Sequence, residues 1–251
     1  MSGHSKWASI KHKKALLDAK KGQAYTKMIR EITAAARDGG GNPDKNPALR
    51  TAISRAKELN MPSDNVKNAI KRGTGELPGV SYETILYEGY GPFGVAIMVE
   101  AVTDNKNRTT AELRNIFSKK GGSLAGTGSV SWIFSQKGYI LVSKAQIKEE
   151  QLLNLTIEAG AEDIKSDNGN FEVTTSPADF ENVKKAIKEK GLNFDVAELG
   201  MIPSSTIKIT NKEKAKQILT LVEALEEHDD AQHVYANFDI PDEFLQETPS
   251  S

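Results

Sequence analysis

Between residues 137 and 203 the apolar pattern switches repeatedly between strand and helix periods, and the order of the switches constrains the topology. "GYILVS" and "NFEVTT" are strand-length runs rich in β-branched and aromatic residues. "EEQLLNLTIEAG" has helical spacing, and so does "SPADFENVKKAIKEK", which opens on Ser176 as cap with Pro177 next. "EDIKSD" and "FDVAELGMI" are extended, and Asn168-Gly169 turns a hairpin between "EDIKSD" and "NFEVTT". The resulting series is βαββαβ, the ferredoxin-like order, which closes a two-layer domain by itself.

The flanks are each half of something. "YETILYEGYG" and "GVAIMVEAVTD" predict strands around a Gly-Pro turn, and "TAELRNIFSKKGG" predicts a helix with Thr109 and Glu112 as a capping box. "GSVSWIF" then reads as a strand. Beyond residue 203, "NKEKAKQILTLVEALEEH" is an amphipathic helix with Ile218, Leu221, Val222 and Leu225 on one face, and "HVYANFDI" is a strand. The expected fold class is therefore α+β, with two two-layer, ferredoxin-like domains behind a helical front. One domain comprises residues 80–136 plus 204–240, and the other, 137–203, is inserted in it. Three domains in series is the alternative. Residues 241–251 read as a flexible tail.

Residues 1–79 read as a basic helical domain. "GQAYTKMIREITAAARDGG" places Tyr25, Met28, Ile29, Ile32, Ala35 and Ala36 on one helical face and Lys27, Arg30 and Arg37 on the other. A second helix opens with Asn46 as cap and Pro47 at its first position, and buries Leu49, Ala52, Ile53, Ala56 and Leu59. A third starts near Ser63 and ends at Gly73.

Charge divides the chain at the same place. Residues 1–75 hold 16 Lys and Arg against 6 acids, a net +10, and the remainder holds 17 against 28, a net −11. The first fourteen residues, "MSGHSKWASIKHKK", contain four lysines and no acid. A basic end on an acidic body suits a polyanionic partner, because Lys and Arg bind phosphates by displacing counterions. The candidate nucleic-acid contacts are Lys6, Trp7, Lys11, Lys13, Lys14, Lys20, Lys21, Lys27, Arg30, Arg50, Arg55, Lys67, Lys71 and Arg72. Trp7 either stacks on an unpaired base or folds back as a staple. The ordinary alternative for all the cations is a solvated helix face.

Other chemistries find little support. With no cysteine, disulfides, thiolate metal sites and cysteine nucleophiles are excluded. "GGGNPDKNP" follows no strand, and "KKGGSLAGTGSV" runs from helix to strand, the reverse of a phosphate loop, although its N–H groups remain available to an anion. Arg108 in "TDNKNRT" either anchors an anion or pairs with Asp104. His228 and His233 flank Asp229 and Asp230 without a metal-binding spacing and read as solvent-facing. We expect no metal, cofactor or enzymatic activity; a metal-dependent nucleic-acid enzyme is a remote alternative. The start has neither a secretory h-region nor the Arg-rich composition of a transit peptide, and no window reaches a membrane span. The expectation is a cytoplasmic chain that meets no membrane.

The segments "GHSKWASIKHKK", "NPALRTAISRAKELNMPSDNVKNAIKRGTGE", "YEGYGPFGVAIMVEAVTDNKNRT", "GSVSWIFSQKG" and "VYANFDIP" together resemble the YebC/PmpR family, which includes the mitochondrial translational activator of cytochrome oxidase. The resemblance spans residues 2 to about 241. It implies three domains, a helical front and two α+β domains, and a cytoplasmic nucleic-acid-binding regulator. Bacterial members of the family are DNA-binding regulators of transcription; other relatives act in translation, as ribosome-associated factors that bind RNA and relieve stalling. The resemblance places Lys6, Trp7, Lys11, Lys13, Lys14 and Lys20 in the front motif, with Lys13 and Lys21 where members often carry Arg. The acidic domains are left to position the front or to meet a protein partner.

Overall fold

The computed structural model describes residues 21–166, 169–241 and 244. Three helices come first: α1 (Lys21–Gly39), α2 (Pro47–Glu58) and α3 (Ser63–Gly73). Asn46 sits before α2 with Pro47 at the first helical position, and its side chain accepts from Leu49 N at 3.0 Å. The Asn46 amide also donates to Ala35 O (2.8 Å) and Gly40 O (2.9 Å), so one buried side chain ties the end of α1 to the start of α2. Met28, Ile32, Ala36, Leu49, Ala52, Ala56, Met61 and Ala69 form the core. Small residues let these helices approach closely. A Cβ on Gly73 would lie 2.4 Å from Thr33 O, so only glycine ends α3 there.

The hairpin β1 (Glu83–Tyr90) and β2 (Ala96–Thr103) follows, then α4 (Lys106–Lys119) and the short β3 (Ser123–Ala125). Next come β4 (Phe134–Ser143), α5 (Glu149–Glu158), β5 (Ala161–Ser166), β6 (Asn170–Thr175), α6 (Phe180–Glu189), β7 (Phe194–Pro203) and β8 (Ile207–Lys208). The chain closes with α7 (Lys212–Glu226), β9 (Ala231–Ala236) and β10 (Phe238–Asp239).

These elements fall into two compact units. One holds α1 to β3 together with α7 and β9. Its sheet is antiparallel throughout, in the order β3-β1-β2-β9. Leu113 and Phe117 of α4 and Ile218, Leu221, Val222 and Leu225 of α7 are buried in this unit. Helix α1 packs against β2 and β9. Covered in this way, "AIMVEAVT" of β2 loses the alternation of a half-buried strand: every residue but Glu100 is buried.

The other unit holds β4 to β8 and β10. Its sheet order is β5-β6-β4-β7, and its chain order is βαββαβ. Ile140, Val142, Leu152, Phe171, Val173, Phe180, Val183 and Ile187 fill the layer between sheet and helices. The short β8 and β10 pair in parallel.

Several local expectations fail. Leu59, expected in the helical core, is 40% exposed beyond the end of α2. Ser176 caps only the turn at Asp179, and α6 starts at Phe180. "GSVSWIF" is not a strand of the first sheet. Ser131–Ile133 is a single tight turn, and β4 then runs from Phe134 to Ser143 because Phe134–Val142 finds partners in β7 and Gly138–Ser143 in β6. The first sheet takes Ser123–Ala125 as its edge instead. The cap of α4 is Asn105, which accepts from Arg108 N at 3.1 Å, and Thr109 lies inside the helix, buried.

Gly138 lies where β4 passes closest to its neighbours. A Cβ there would stand 2.2 Å from Thr175 Oγ1 and 2.6 Å from Phe180 Cδ2. We expect Gly138→Ala to destabilise by about 1–3 kcal/mol through overpacking, read as a lowered urea midpoint with an unchanged m-value.

Candidate functional site

Helix α1 has two working faces. The apolar face makes the helical core, and the polar face meets the turn between α7 and β9. Lys27 Nζ donates to Glu226 O and Ala231 O, both at 2.7 Å. Arg30 Nη1 donates to Asp229 O at 2.7 Å and to Asp230 Oδ1 at 2.5 Å, with its guanidinium 5.8 Å from the Tyr82 ring centroid. Gln23 donates to Glu227 O at 2.8 Å. Arg37 donates to Tyr82 O and pairs with Asp38.

Asp230 is the centre of this contact and is 2% exposed. Its second oxygen accepts from Arg108 Nη2 at 2.8 Å and from Thr109 Oγ1 at 2.6 Å. Burial alone would raise its pKa. The Thr109 hydroxyl and the Arg108 and Arg30 guanidinia outweigh that and hold the carboxyl below its ordinary range. Arg108 also pairs with Asp104 at 2.9 Å. Of the two readings of Arg108, pairing is the one observed.

Arg55 serves a second, half-buried cluster. Its Nη1 donates to Glu31 Oε1 and to His233 Nε2, each at 3.2 Å. Burial, then the neighbouring Arg55 and Lys27 charges, push His233 down to about 3, so the ring is neutral and its Nε2 accepts. Glu31 is raised by burial against the pull of Arg55, and Glu100, paired with His233 across β2 and β9, is raised by burial and by Glu31. His233 is therefore not a solvent-facing residue.

Nor is His228. Its Nδ1 accepts from Asp230 N at 3.1 Å, which puts the ring proton on Nε2, and that proton goes to Glu112 Oε2 at 2.9 Å. Glu112, His228 and Asp230 lie close enough to suggest a cation site beside an open cavity of about 580 Å³. The donor set does not fit one. Nε2 carries a proton where a metal needs a lone pair, and both Asp230 oxygens already face arginines.

The glycine loop after α4 is also engaged. The buried Glu88 carboxylate accepts from Gly128 N (2.7 Å), Val130 N (2.6 Å) and Ser131 N (2.8 Å). Burial works against this charge, but the backbone donors prevail and lower its pKa. The loop's N–H groups hold an internal anion, so they do not wait for a phosphate.

The predicted nucleic-acid residues thus separate. Lys27, Arg30 and Arg55 point inward into the contacts just given. Arg50, Lys67, Lys71 and Arg72 are exposed on α2 and α3; among the described residues Arg50 donates to Pro43 O at 3.4 Å, and Lys67 lies 3.6 Å from Asp64. Lys6, Trp7, Lys11, Lys13, Lys14 and Lys20 lie outside the described residues, and Lys21 opens α1. Sequence reasoning missed Asp230, Glu88 and Glu31 as the residues that organise the unit.

The half-buried, neutral His233 makes a pH prediction. Its folded pKa, about 3, lies below the ordinary 6.5, so the unfolded chain binds the extra proton between these values. Its contribution to stability is complete above 6.5 and is lost as pH falls toward 3. Glu31 and Glu100, both raised, act in the opposite sense. His233→Gln should therefore flatten the acid-side loss of stability relative to the parent, measured by urea unfolding across this range.

Comparison with known proteins identifies the relatives. A family model described as the TACO1/YebC second and third domain matches residues 82–238, and one described as the TACO1/YebC protein N-terminal domain matches residues 5–76. A Dictyoglomus turgidum protein named "Probable transcriptional regulatory protein" is 55% identical over 247 residues, covering 98% of this chain and 99% of its own. A Natranaerobius thermophilus protein of the same name is 54% identical over 249 residues, with coverage of 98% and 99%. The crystal structure of a conserved hypothetical protein from Aquifex aeolicus superposes with a TM-score of 0.79 at 47% identity, covering 90% of this chain and 93% of that one. Matched from its helical front to its last long strand, the chain belongs to the TACO1/YebC family.

Proposed function

We propose that this chain is a nucleic-acid-binding regulatory protein, acting in the cytoplasm as a DNA-binding regulator of transcription and not as an enzyme. The observation that carries the reading is the division of the front's cations. The inward ones are consumed by carbonyls and carboxylates, whereas Arg50, Lys67, Lys71 and Arg72 stay on the exposed surface of α2 and α3. The arm lysines precede that surface in the chain. The name of the relatives, "Probable transcriptional regulatory protein", supports a regulatory role. Among the described residues no helix is long and apolar enough to cross a membrane, which fits a partner that is not a bilayer.

Affinity for duplex DNA should fall with salt, with log K against log salt losing about 0.9 per phosphate neutralised. Replacing Arg50, Lys67, Lys71 and Arg72 with Gln should flatten that slope by up to about 3.6, if each meets one phosphate. Replacing Lys11, Lys13 and Lys14 with Ala should flatten it by up to about 3. All sequences should weaken alike, since phosphate contacts position and do not specify. Unchanged affinity and slope in both folded variants would return these cations to a solvated face. A preference for structured RNA over duplex DNA would favour the translation reading, and metal-dependent cleavage of the probe would favour an enzyme.

We also propose that residues 137–203 are the body of an inserted domain, with 1–79 the front, 80–136 plus 204–240 the host and 241–251 a tail; Phe134–Gln136, β8 and β10, inside the proposed host bounds, fall in the unit of the insert. The pairing of β9 with β2 supports this, because the host sheet draws on chain from both sides of the insert. A chain with a short linker from 136 to 204 should unfold in one cooperative transition. Loss of that transition, in a protein whose 1–136 fragment folds stably, would mean that the segments are not host and insert.

A further inference from the structure

The tip of the β1–β2 hairpin carries a residue that neither the backbone nor the core accounts for. Phe93 sits at φ 64°, ψ 19°, in the left-handed region where a bulky side chain is a rare outlier. A glycine would take that geometry without strain. The ring does not repay the strain by burial, since Phe93 is 44% exposed while the neighbouring Pro92 is buried. The ring meets a cation: Lys214 Nζ, at the start of α7, lies 4.9 Å from the ring centroid. The loop after α4 lies alongside. A Cβ on Gly121 would touch Pro92 Cγ at 3.7 Å, and one on Gly122 would stand 3.2 Å from Gly91 Cα. This brings the exposed Lys119 and Lys120 to the same end of the sheet. The one acid in the first turn of α7 is Glu213.

We propose that this tip is a contact for unpaired nucleotides, in which a base stacks on Phe93 and Lys119, Lys120 and Lys214 meet the flanking phosphates. An exposed aromatic ring with Lys214 over one face and two further lysines at the same end of the sheet has the chemistry of a single-strand platform. A stacked duplex has no free base face to offer it. Strain held at an exposed aromatic belongs with a binding surface more than with a core. The inference rests on the nucleic-acid reading above and adds a second contact, distinct from the exposed cations of α2 and α3.

The test uses the full chain with labelled single-stranded deoxythymidine and uridine oligonucleotides and a duplex of the same length. Phe93→Gly removes the ring and relieves the backbone, so its thermal midpoint should equal or exceed that of the parent. It should weaken single-strand binding at least about fivefold and leave duplex binding unchanged. Phe93→Tyr should keep the affinity, and Lys119→Gln with Lys120→Gln should reduce its salt dependence. The two single strands report whether ribose matters at the tip. If the parent binds nucleic acid and Phe93→Gly binds single strands equally well, or loses single strand and duplex alike, the tip contact is overturned and the wider reading stands. If the parent binds none of the probes, both fail.

Discussion

Asp230 joins three parts of one unit at a single carboxylate. One oxygen takes Arg30 from the helical front, and the other takes Arg108 and Thr109 from α4, while its own backbone leads into β9. A charge this buried is costly unless it is paired and fully hydrogen-bonded. Here it is both, and the pairing dictates geometry. It fixes how α1 approaches the sheet and which face of α4 turns toward α7. It also selects which cations of the front remain outside. Lys27 and Arg55 follow the same logic at either side, one satisfying carbonyls at the end of α7, the other a carboxylate and a neutral imidazole. The front is thereby a charged layer with an inner and an outer surface, and only the outer one is available to a partner.

Local rules carried much of the fold. Asn46-Pro47 opens α2, and the period changes after Ser143 mark βαββαβ in the observed order, because caps, turns and apolar spacing act over a few residues. The misreadings come from competition between neighbours. "GSVSWIF" has the composition of a strand, but β7 offers nine partners to the segment beginning at Phe134, and the preceding residues become a turn. Thr109 fits a capping box by spacing, yet a better cap lies four residues earlier at Asn105, and Asp230 claims the Thr109 hydroxyl.

The candidate site was less legible for a related reason. A lysine on a helix reads the same whether it faces water or a carbonyl distant in sequence. Arg30 and Lys71 cannot be told apart by spacing, though one is committed inside and the other is exposed. Glu88 looked like one more acid in an acidic body. Nothing local announces that three backbone donors at the end of a glycine loop will close around it. Phe93, a single aromatic between two glycines, passes as turn filler until its backbone angles and exposure are known.

The separation of Arg30 from Asp229 and Asp230 is 199 and 200 residues. During synthesis at roughly 5–20 residues per second, α1 therefore waits on the order of 10–40 seconds before the segment that receives its polar face has been made. The three front helices can close their own apolar core in that interval, since those contacts are near in sequence. Until β9 arrives, Lys27 and Arg30 stand open alongside the outer cations, and the nascent chain is more basic at its surface than the finished protein. Completion of the chain is thus the step that sets the final charge of the front.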